Sequence, residues 1–311
     1  MQVVLSYGAK NTEKDLKPLL KYPIYVISKG RADCCLTANF LIKDKTPFKI
    51  VIEPQEKEAY TAKYGEDRLL ILPFSNLGKG SIPARNWVWE HSKAAGHQRH
   101  WILDDNSRCT RRRFKGKRIP CDSNIALKTC EDFTDRYENI AISGLCYTMF
   151  QTPYLAPFTL NCHVYSCLLI DNNLEQRWRG RYNEDTDLCL QVLAAGLCTV
   201  LINAFSIEKM VTMSMKGGNM DKLYKGDGRL QMARSLERVW PKVVETDRRF
   251  QRPQHVIKNA WRNFDTKLIR KKDIDFSKFK KVDEYQMKLK QVKPIKSKRI
   301  QKILNETNRI H

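Results

Sequence analysis

Two adjacent aspartates directly follow a bulky apolar run in the stretch HWILDDNSRC, residues 100–109. The apolar residues 101–103 predict a buried strand, and Asp104, Asp105 and Asn106 then place three oxygen-bearing side chains at its end. Because carboxylate oxygens are ligands that Mg²⁺ and Mn²⁺ prefer, the pair predicts a divalent cation that holds a nucleotide diphosphate and neutralises charge on its leaving group. The alternative is that the two carboxylates cap a turn or pair with nearby arginines.

A second acidic cluster, residues 183–187 (NEDTD), opens a predicted helix. Asp and Thr are good helix N-caps, and acidic side chains suit the positive end of the helix dipole, so capping is one interpretation. Three acids in four residues are more than a cap requires. Glu184 or Asp185, at the mouth of a parallel sheet, could therefore act as a general base toward an acceptor hydroxyl.

A lysine and two glycines form a third polar stretch, at Lys216, Gly217, Gly218 and Asn219. Glycine lets the backbone approach phosphates closely and lysine supplies charge, so this loop could close over phosphates. A mobile surface loop is an equally good interpretation. No G-x-x-x-x-G-K-[ST] stands anywhere in the chain, which argues against a P-loop ATPase.

Strands alternate with helices along the chain, which predicts a largely parallel sheet with binding groups at the carboxyl ends of its strands. The clearest helix is predicted in residues 80–96, with Ser81 as its cap, Gly96 at its end and His91 as a core histidine on its apolar face. The stretch CHVYSCLLI, residues 162–170, is predicted to be a strand whose cysteines belong to the core and do not bind metal.

The chain of 311 residues carries a formal charge of +22, which predicts a polyanionic partner, with nucleic acid ahead of an anionic membrane surface. Residues 266–311 hold 15 Lys or Arg against five acids, so they are predicted to form a tail or a loosely packed helical appendage. There is no apolar run of membrane-spanning length, no signal-peptide pattern and no C-x-x-C among the ten cysteines. We therefore expect an intracellular, soluble protein without disulfides.

Three segments together carry a family resemblance: GSIPARNWVWEHSKAAGHQRHWILDDN, HVYSCLLIDNNLEQRWRGRYNEDTDLCLQVLAAGLCTVL and MSMKGGN. They resemble the TET-associated glycosyltransferases, GT-A-type enzymes of phages and their relatives. The resemblance spans about residues 22–264 and implies an α/β fold, with a GT-A-like, Rossmann-type mixed sheet flanked by helices. The chain is therefore divided into an N-terminal preamble (1–21), a glycosyltransferase domain (22–265) that carries the resemblance, and a basic C-terminal tail (266–311) that lies outside it and is expected to contact DNA.

The resemblance also implies roles for individual residues. Asp104, Asp105 and Asn106 take the place of the GT-A metal motif, in which many enzymes carry aspartate at the position of Asn106. His255 is expected as a further metal ligand, and Glu184 and Asp185 as the catalytic carboxylates on the acceptor side. The nucleotide sugar is expected to meet Asp104 together with Ser28, Arg31, Glu53, Arg85, Asn86, Lys216, Gly217, Gly218 and Asn219. A separate expectation rests on sequence position: six basic residues closely follow the aspartates and are expected to meet the DNA phosphates and place the DNA beside the donor. They are Arg111, Arg112, Arg113, Lys115, Lys117 and Arg118.

The expected activity is therefore metal-dependent transfer of a sugar to a hydroxymethylated pyrimidine in DNA, with 5-hydroxymethylcytosine as the expected base. Mn²⁺ or Mg²⁺ would be the metal and a uridine diphosphate sugar the donor, in the cytoplasm of the host cell if a phage encodes the protein. Two alternatives stay open: a glycosyltransferase whose acceptor is a protein or glycan, and a non-enzymatic nucleic-acid-binding protein. The sequence leaves open the sugar, hydroxymethylcytosine against hydroxymethyluracil, retention or inversion, and the oligomeric state.

Overall fold

The structure is a computed structural model that describes residues 2–5, 20–180, 182–210, 228–249, 251–277 and 287–290. The helices within these ranges are α1 (Leu36–Lys43), α2 (Lys57–Tyr64), α3 (Ile82–Ala94), α4 (Ser123–Thr134), α5 (Glu184–Ala194) and α6 (Gly228–Val239). The strands are β1 (Gln2–Leu5), β2 (Ile24–Ile27), β3 (Lys49–Ile52), β4 (Leu69–Ile71), β5 (Arg99–Asp104), β6 (Ser107–Phe114), β7 (Lys117–Cys121), β8 (Ile140–Tyr147), β9 (Phe158–Leu160), β10 (Cys167–Asp171), β11 (Cys198–Lys209), β12 (Val244–Arg249), β13 (Arg252–Ile257) and β14 (Met287–Lys290).

A central sheet of ten strands has the order β4-β3-β2-β5-β10-β8-β11-β6-β7, and β9 pairs with β11 beside this path. The first four strands are parallel, as the βα alternation predicts. The prediction of a largely parallel sheet is wrong for the second half, because β10 and β6 run antiparallel to their neighbours. The sheet is mixed, which agrees with the resemblance.

Helices cover both faces of the sheet, and the alternation of side chains along the strands divides the core in two. On β5, Trp101 and Leu103 belong to the cluster that includes residues of α1, α2 and α4, whereas Ile102 belongs to the cluster under α3 and α5. All three are fully buried, so β5 is covered on both faces. Because β5 is packed on both faces, it holds Asp104, which follows the buried Leu103, in a defined position.

Several strands end at one edge of the sheet. Because β2, β5, β8 and β11 point the same way, their carboxyl ends lie side by side, with β10 beginning between β5 and β8. This arrangement places Ser28, Asp104, Tyr147 and Lys209 along one edge, with Ser166 just before β10. We call this the carboxyl edge of the sheet.

Helix α3 differs in one respect from its predicted form. Ser81 is the N-cap residue, as predicted, but its side chain makes no capping hydrogen bond, because its hydroxyl donates to Glu184 at 3.1 Å. The chain does leave the helix at Gly96, whose φ of +80° favours glycine. His91 is half-buried and bonded to the Tyr25 hydroxyl at 3.2 Å, which confirms it as a core histidine.

The segment predicted as the strand CHVYSCLLI forms a strand only from Cys167 onward. Cys162 and Cys167 are both buried, and all ten cysteines are free thiols, which confirms the prediction of core cysteines. Ser166, just before the strand, has a φ of +63° that a non-glycine residue seldom adopts. This turn at the carboxyl edge separates the irregular stretch from β10.

The first residues of the basic tail pack on the domain. The carbonyl of Thr266 accepts a hydrogen bond from Asn161 at 2.8 Å, and that of Lys267 accepts one from Asn139 at 2.9 Å. Further along, the Phe276 ring lies 5.7 Å from the ring of Tyr137.

Strand β14 pairs with β1, and β12 pairs with β13 in a separate hairpin. Among the described residues, no helix is long and apolar enough to cross a membrane.

Candidate active site

Asp104, the last residue of β5, accepts hydrogen bonds from two cations. Arg85 of α3 donates to its Oδ1 at 2.9 Å, and Lys209 at the end of β11 donates to its Oδ2 at 2.6 Å. Burial alone would raise the pKa of Asp104, but Lys209 and Arg85 outweigh it and hold that pKa well below its usual range. The two cations therefore favour the ionised form of Asp104.

Arg85 joins the two acidic clusters that the sequence analysis treats separately. Its guanidinium is buried and bonds Asp104 through Nη2 and Asp185 through Nη1. The Arg85 Cζ lies 4.5 Å from the centroid of the Trp178 ring. The neighbouring Asn86 holds the backbone of Trp178 with two hydrogen bonds, of 2.9 and 3.1 Å. The predicted donor residue Asn86 thus directs its amide to the loop that covers Arg85.

Asp185 stands in the first turn of α5 and is held at both oxygens. Arg85 bonds Oδ1, and the amide of Ser166 donates to Oδ2 at 3.1 Å. Burial, with Glu184 and Asp104 close by, outweighs the single guanidinium and raises the pKa of Asp185 to about 6. Such a pKa suits a general base, because the ionised form is present near neutral pH and still takes up a proton.

The acidic cluster does not cap α5. The N-cap residue is Asn183, in a left-handed conformation and without a side-chain capping bond, so the capping interpretation is wrong for this helix. Asp187 has a packing role, since it bonds Arg179 and the Trp240 indole at 2.7 Å. Glu184 is half-buried and accepts from Ser81, which leaves Asp185 as the acid bound into the cluster with Asp104.

Lys209 and two neutral partners complete the cluster, and sequence reasoning missed all three. The Lys209 ammonium lies 2.6 Å from the Ser166 hydroxyl and 3.2 Å from the Tyr147 hydroxyl, and these two hydroxyls also bond each other. Burial would lower the pKa of Lys209, but Asp104 and its other partners raise it. The sequence signal for Lys209 was its position at the end of the largely apolar run LCTVLINAFSIEK, residues 197–209.

Asp105 faces away from this cluster, toward the ends of β2 and α2. It accepts hydrogen bonds from Ser28 at 2.8 Å and from Arg31 at 2.5 Å, and Ser28 also bonds the Tyr60 hydroxyl at 2.7 Å. Burial raises the pKa of the Asp105 carboxyl despite the Arg31 charge. Three predicted donor or metal residues, Asp105, Ser28 and Arg31, are thus brought together.

Glu53 follows β3 at the same edge and accepts from the Lys29 ammonium at 2.6 Å and from the Asn76 amide at 3.2 Å. Burial would raise the pKa of Glu53, but Lys29 and Gln55 lower it below its usual value. The glycine loop predicted to bind phosphate lies outside the described residues: Lys216, Gly217, Gly218 and Asn219.

Two predicted metal ligands, Asn106 and His255, lie in different parts of the fold. Asn106 stands two residues after the end of β5, and its Oδ1 is buried and makes no hydrogen bond. His255 belongs to the separate β12–β13 hairpin, where burial lowers its pKa to about 4 and its Nδ1 has no hydrogen-bond partner. In the described part of the chain, no group of three or more His, Cys, Asp or Glu side chains is arranged to hold a metal ion.

The predicted DNA-binding residues lie on the hairpin of β6 and β7, which runs away from the carboxyl edge to a tip at Lys115 and Gly116. Arg111 is paired with Glu208 at 2.6 Å, and Arg113 is buried and donates to the Thr152 carbonyl at 3.0 Å. The exposed charges are near the tip. They are Lys115, Lys117 and Arg118. The Lys115 ammonium lies 5.4 Å from the centre of the Phe114 ring, and the half-buried Arg112 lies 5.7 Å from the same ring.

The fold and the cluster define an α/β enzyme whose carboxylates and cations meet at the carboxyl edge of a mixed sheet. A sequence profile of the TET-associated glycosyltransferase family matches residues 22–218, which cover more than half of the chain and include Asp104, Asp185 and Lys209. The chain belongs to this family and is a glycosyltransferase. A search of curated proteins found no match.

Proposed function

We propose that this glycosyltransferase moves a sugar from a nucleoside-diphosphate sugar, a uridine diphosphate sugar in the first instance, to the hydroxymethyl group of 5-hydroxymethylcytosine in DNA. This proposal is supported mainly by the buried chain of contacts that runs from Lys209 through Asp104 and Arg85 to Asp185. These contacts bring an ionised acid, two cations and a carboxylate of raised pKa to one edge of the sheet. The family match supports the acceptor, because the TET-associated glycosyltransferases are expected to act on hydroxymethylated pyrimidines in DNA.

The described residues offer a divalent cation oxygen donors of suitable chemistry. Asn106 Oδ1 is buried without a hydrogen-bond partner, two residues after Asp104. Both oxygens of Asp104 already accept bonds from Arg85 and Lys209, so an ion at Oδ2 would displace the Lys209 ammonium. We propose Asp104 and Asn106 as ligands of Mn²⁺ or Mg²⁺. The bound ion would neutralise charge on the departing diphosphate.

The chain's own residues would then divide the work of transfer. Asp185 takes the proton of the acceptor hydroxymethyl group while that oxygen bonds to the anomeric carbon of the sugar. The bond between this carbon and the diphosphate oxygen breaks, and the nucleoside diphosphate leaves with its electrons. Arg85 keeps Asp185 in position through Oδ1, and Ser28 and Arg31 hold Asp105 on the nucleotide side.

The basic surface supports a DNA acceptor over a protein or glycan. Lys115, Lys117 and Arg118 are exposed around the tip of the β6–β7 hairpin, and residues 266–311 add ten net positive charges that we propose contact phosphates. The reaction would take place in the cytoplasm, where DNA and nucleotide sugars are both present.

The test is incubation of the protein with Mn²⁺, a panel of nucleotide sugars and DNA that contains 5-hydroxymethylcytosine or 5-hydroxymethyluracil. Digestion and mass spectrometry of the nucleosides identify donor and acceptor together. A glycosylated hydroxymethylcytosine nucleoside is the expected product. Transfer to protein or glycan controls, with none to either DNA, would refute the proposed acceptor.

A further inference from the structure

The loop after β8, residues 148–157 (TMFQTPYLAP), presents large apolar side chains to solvent. Met149 is 69% exposed and Tyr154 is 44% exposed, and Met149 is the most exposed large apolar residue in the described part of the chain. Met149 and Tyr154 lie five residues apart on one short loop and give it an apolar surface that a binding partner can cover.

The loop is firmly anchored despite this exposure. Gln151 is buried, donates to the Asn203 carbonyl at 2.8 Å and accepts from the Ser206 hydroxyl at 3.0 Å. Leu155 is buried as well, and the Thr148 amide donates to the Ile207 carbonyl at 3.0 Å. The backbone therefore holds Met149 in a fixed place outside the core.

One end of the loop begins at the active site and the other reaches the basic hairpin. Met149 follows Tyr147 by two residues, and the Tyr147 hydroxyl lies 3.2 Å from the Lys209 ammonium. At the other end, Arg118 donates to the Gln151 carbonyl at 2.9 Å. The loop thus connects the catalytic cluster to the exposed cations of the hairpin.

The β6–β7 hairpin is short enough for one DNA duplex to span from its tip to the active site. Strand β6 spans seven residue intervals from Ser107 to Phe114, and at about 3.3 Å per interval it covers about 23 Å. That length corresponds to about seven base-pair steps of about 3.4 Å each. Phosphates at the hairpin tip and a base at the active site can therefore belong to one duplex.

A base in a duplex is stacked and paired, so an enzyme that modifies its hydroxymethyl group in a buried cluster must first extrude the nucleotide. Resting on the function proposed above, we propose that Met149 is the apolar wedge that enters the duplex and fills the gap left by the extruded target base. Apolar side chains inserted between base steps stabilise such an opened stack. Tyr154 lies on the same exposed loop and adds an aromatic surface toward the DNA.

The experiment compares three variants on three DNA substrates. Met149→Ala removes the wedge, Met149→Leu retains an apolar side chain of similar size, and Val239→Ala shortens another apolar residue, 52% exposed, at the end of α6. The substrates carry 5-hydroxymethylcytosine in a paired duplex, opposite an abasic site, and in a single strand. The last two require less extrusion, because the target base is already unpaired.

We expect Met149→Ala to lower kcat/KM on the paired duplex by about tenfold or more, because extrusion costs a few kcal/mol that the wedge offsets. On the abasic and single-stranded substrates the same variant should stay within about twofold of the wild type. Met149→Leu and Val239→Ala should match the wild type on all three. An equal loss on all substrates, or no loss on the paired duplex, would overturn the wedge.

A binding measurement separates this inference from the proposed function. A duplex with 2-aminopurine at the target position should become more fluorescent when the wild-type protein binds without any sugar donor, and less so with Met149→Ala. If the wild type transfers sugar to no DNA, the proposed function fails. If it transfers sugar and Met149→Ala extrudes the probe as well as the wild type does, only the wedge fails.

Discussion

Replacing Asp185 by asparagine should separate catalysis from stability. The substitution retains the size of the side chain and removes the carboxylate that we propose as the general base. General-base assistance contributes typically about 10² to 10⁴ in rate, so we expect kcat to fall by about that factor. In the wild type, the pKa of about 6 predicts that kcat/KM falls below pH 6. The slope should approach about tenfold per pH unit.

The same pKa predicts an effect on folding. The pKa rises from the ordinary 3.8 in the unfolded chain to about 6 in the folded protein. Ionising Asp185 therefore costs roughly 3 kcal/mol more in the folded protein than in the unfolded chain, at about 1.4 kcal/mol for each pH unit. The stability from protonation is fully present below pH 3.8 and is lost as the pH rises through 6. Asparagine removes this ionisation cost but offers only one acceptor oxygen to the two donors, Arg85 and the Ser166 amide. The stability of Asp185→Asn relative to the wild type should therefore be greater at pH 7.5 than at pH 5.

The measurements are a pH–rate profile and thermal melting at pH 5 and pH 7.5. The melting temperature of Asp185→Asn relative to that of the wild type should fall from pH 7.5 to pH 5, where most of the wild-type Asp185 is protonated. Glu184→Gln is the matched control, because it removes an adjacent, half-buried acid whose partner is the Ser81 hydroxyl. A variant that melts well below the wild type at pH 7.5 while the folded fraction remains fully active would refute the assignment of Asp185 as base.

Three other perturbations test the remaining charges. Asp104→Ala with Asp105→Ala should abolish transfer, as should EDTA, and full activity in either case would exclude the proposed metal site. Lys209→Met should bind Mn²⁺ about tenfold more tightly in the absence of nucleotide, because one competing charge leaves Asp104; electron paramagnetic resonance of free Mn²⁺ measures this, and unchanged affinity contradicts it. Lys115→Ala with Lys117→Ala should reduce the slope of log Kd for DNA against log salt by about 1.8, and an unchanged slope in fluorescence anisotropy would locate the DNA elsewhere.

The parts of the site that could be predicted from sequence are those whose signal is local. The apolar run before Asp104 and Asp105 predicts a strand followed by polar side chains, and the structure has this arrangement. Ser28 and Glu53 likewise follow short apolar runs that form the strands β2 and β3. In a parallel arrangement the carboxyl ends meet, so local patterns sufficed to bring these residues to one edge.

The parts that could not be predicted depend on pairing across long separations in the chain. Lys209 contacts Asp104 only because β11 runs parallel to β8 and reaches the same edge, a register that no local pattern specifies. Arg111 to Arg118 were expected beside the donor because they follow the aspartates closely. The chain instead forms a two-residue turn at Lys115 and Gly116, both with positive φ, and this turn places their exposed members at the far end of a hairpin.

The pairing of charges also changes what the acidic residues do. Read from sequence, Asp104, Asp105, Glu184 and Asp185 are four negative charges that would repel the diphosphate of a sugar donor. The structure inserts three cations from three separate elements, so that Arg31, Arg85 and Lys209 neutralise most of this charge before any ligand binds. One excess negative charge remains, and protonation of Asp185 near pH 6 removes it. We propose that a nucleotide sugar meets a cluster with at most one excess negative charge, and that the ionised form of Asp185 accepts the proton of the acceptor hydroxyl.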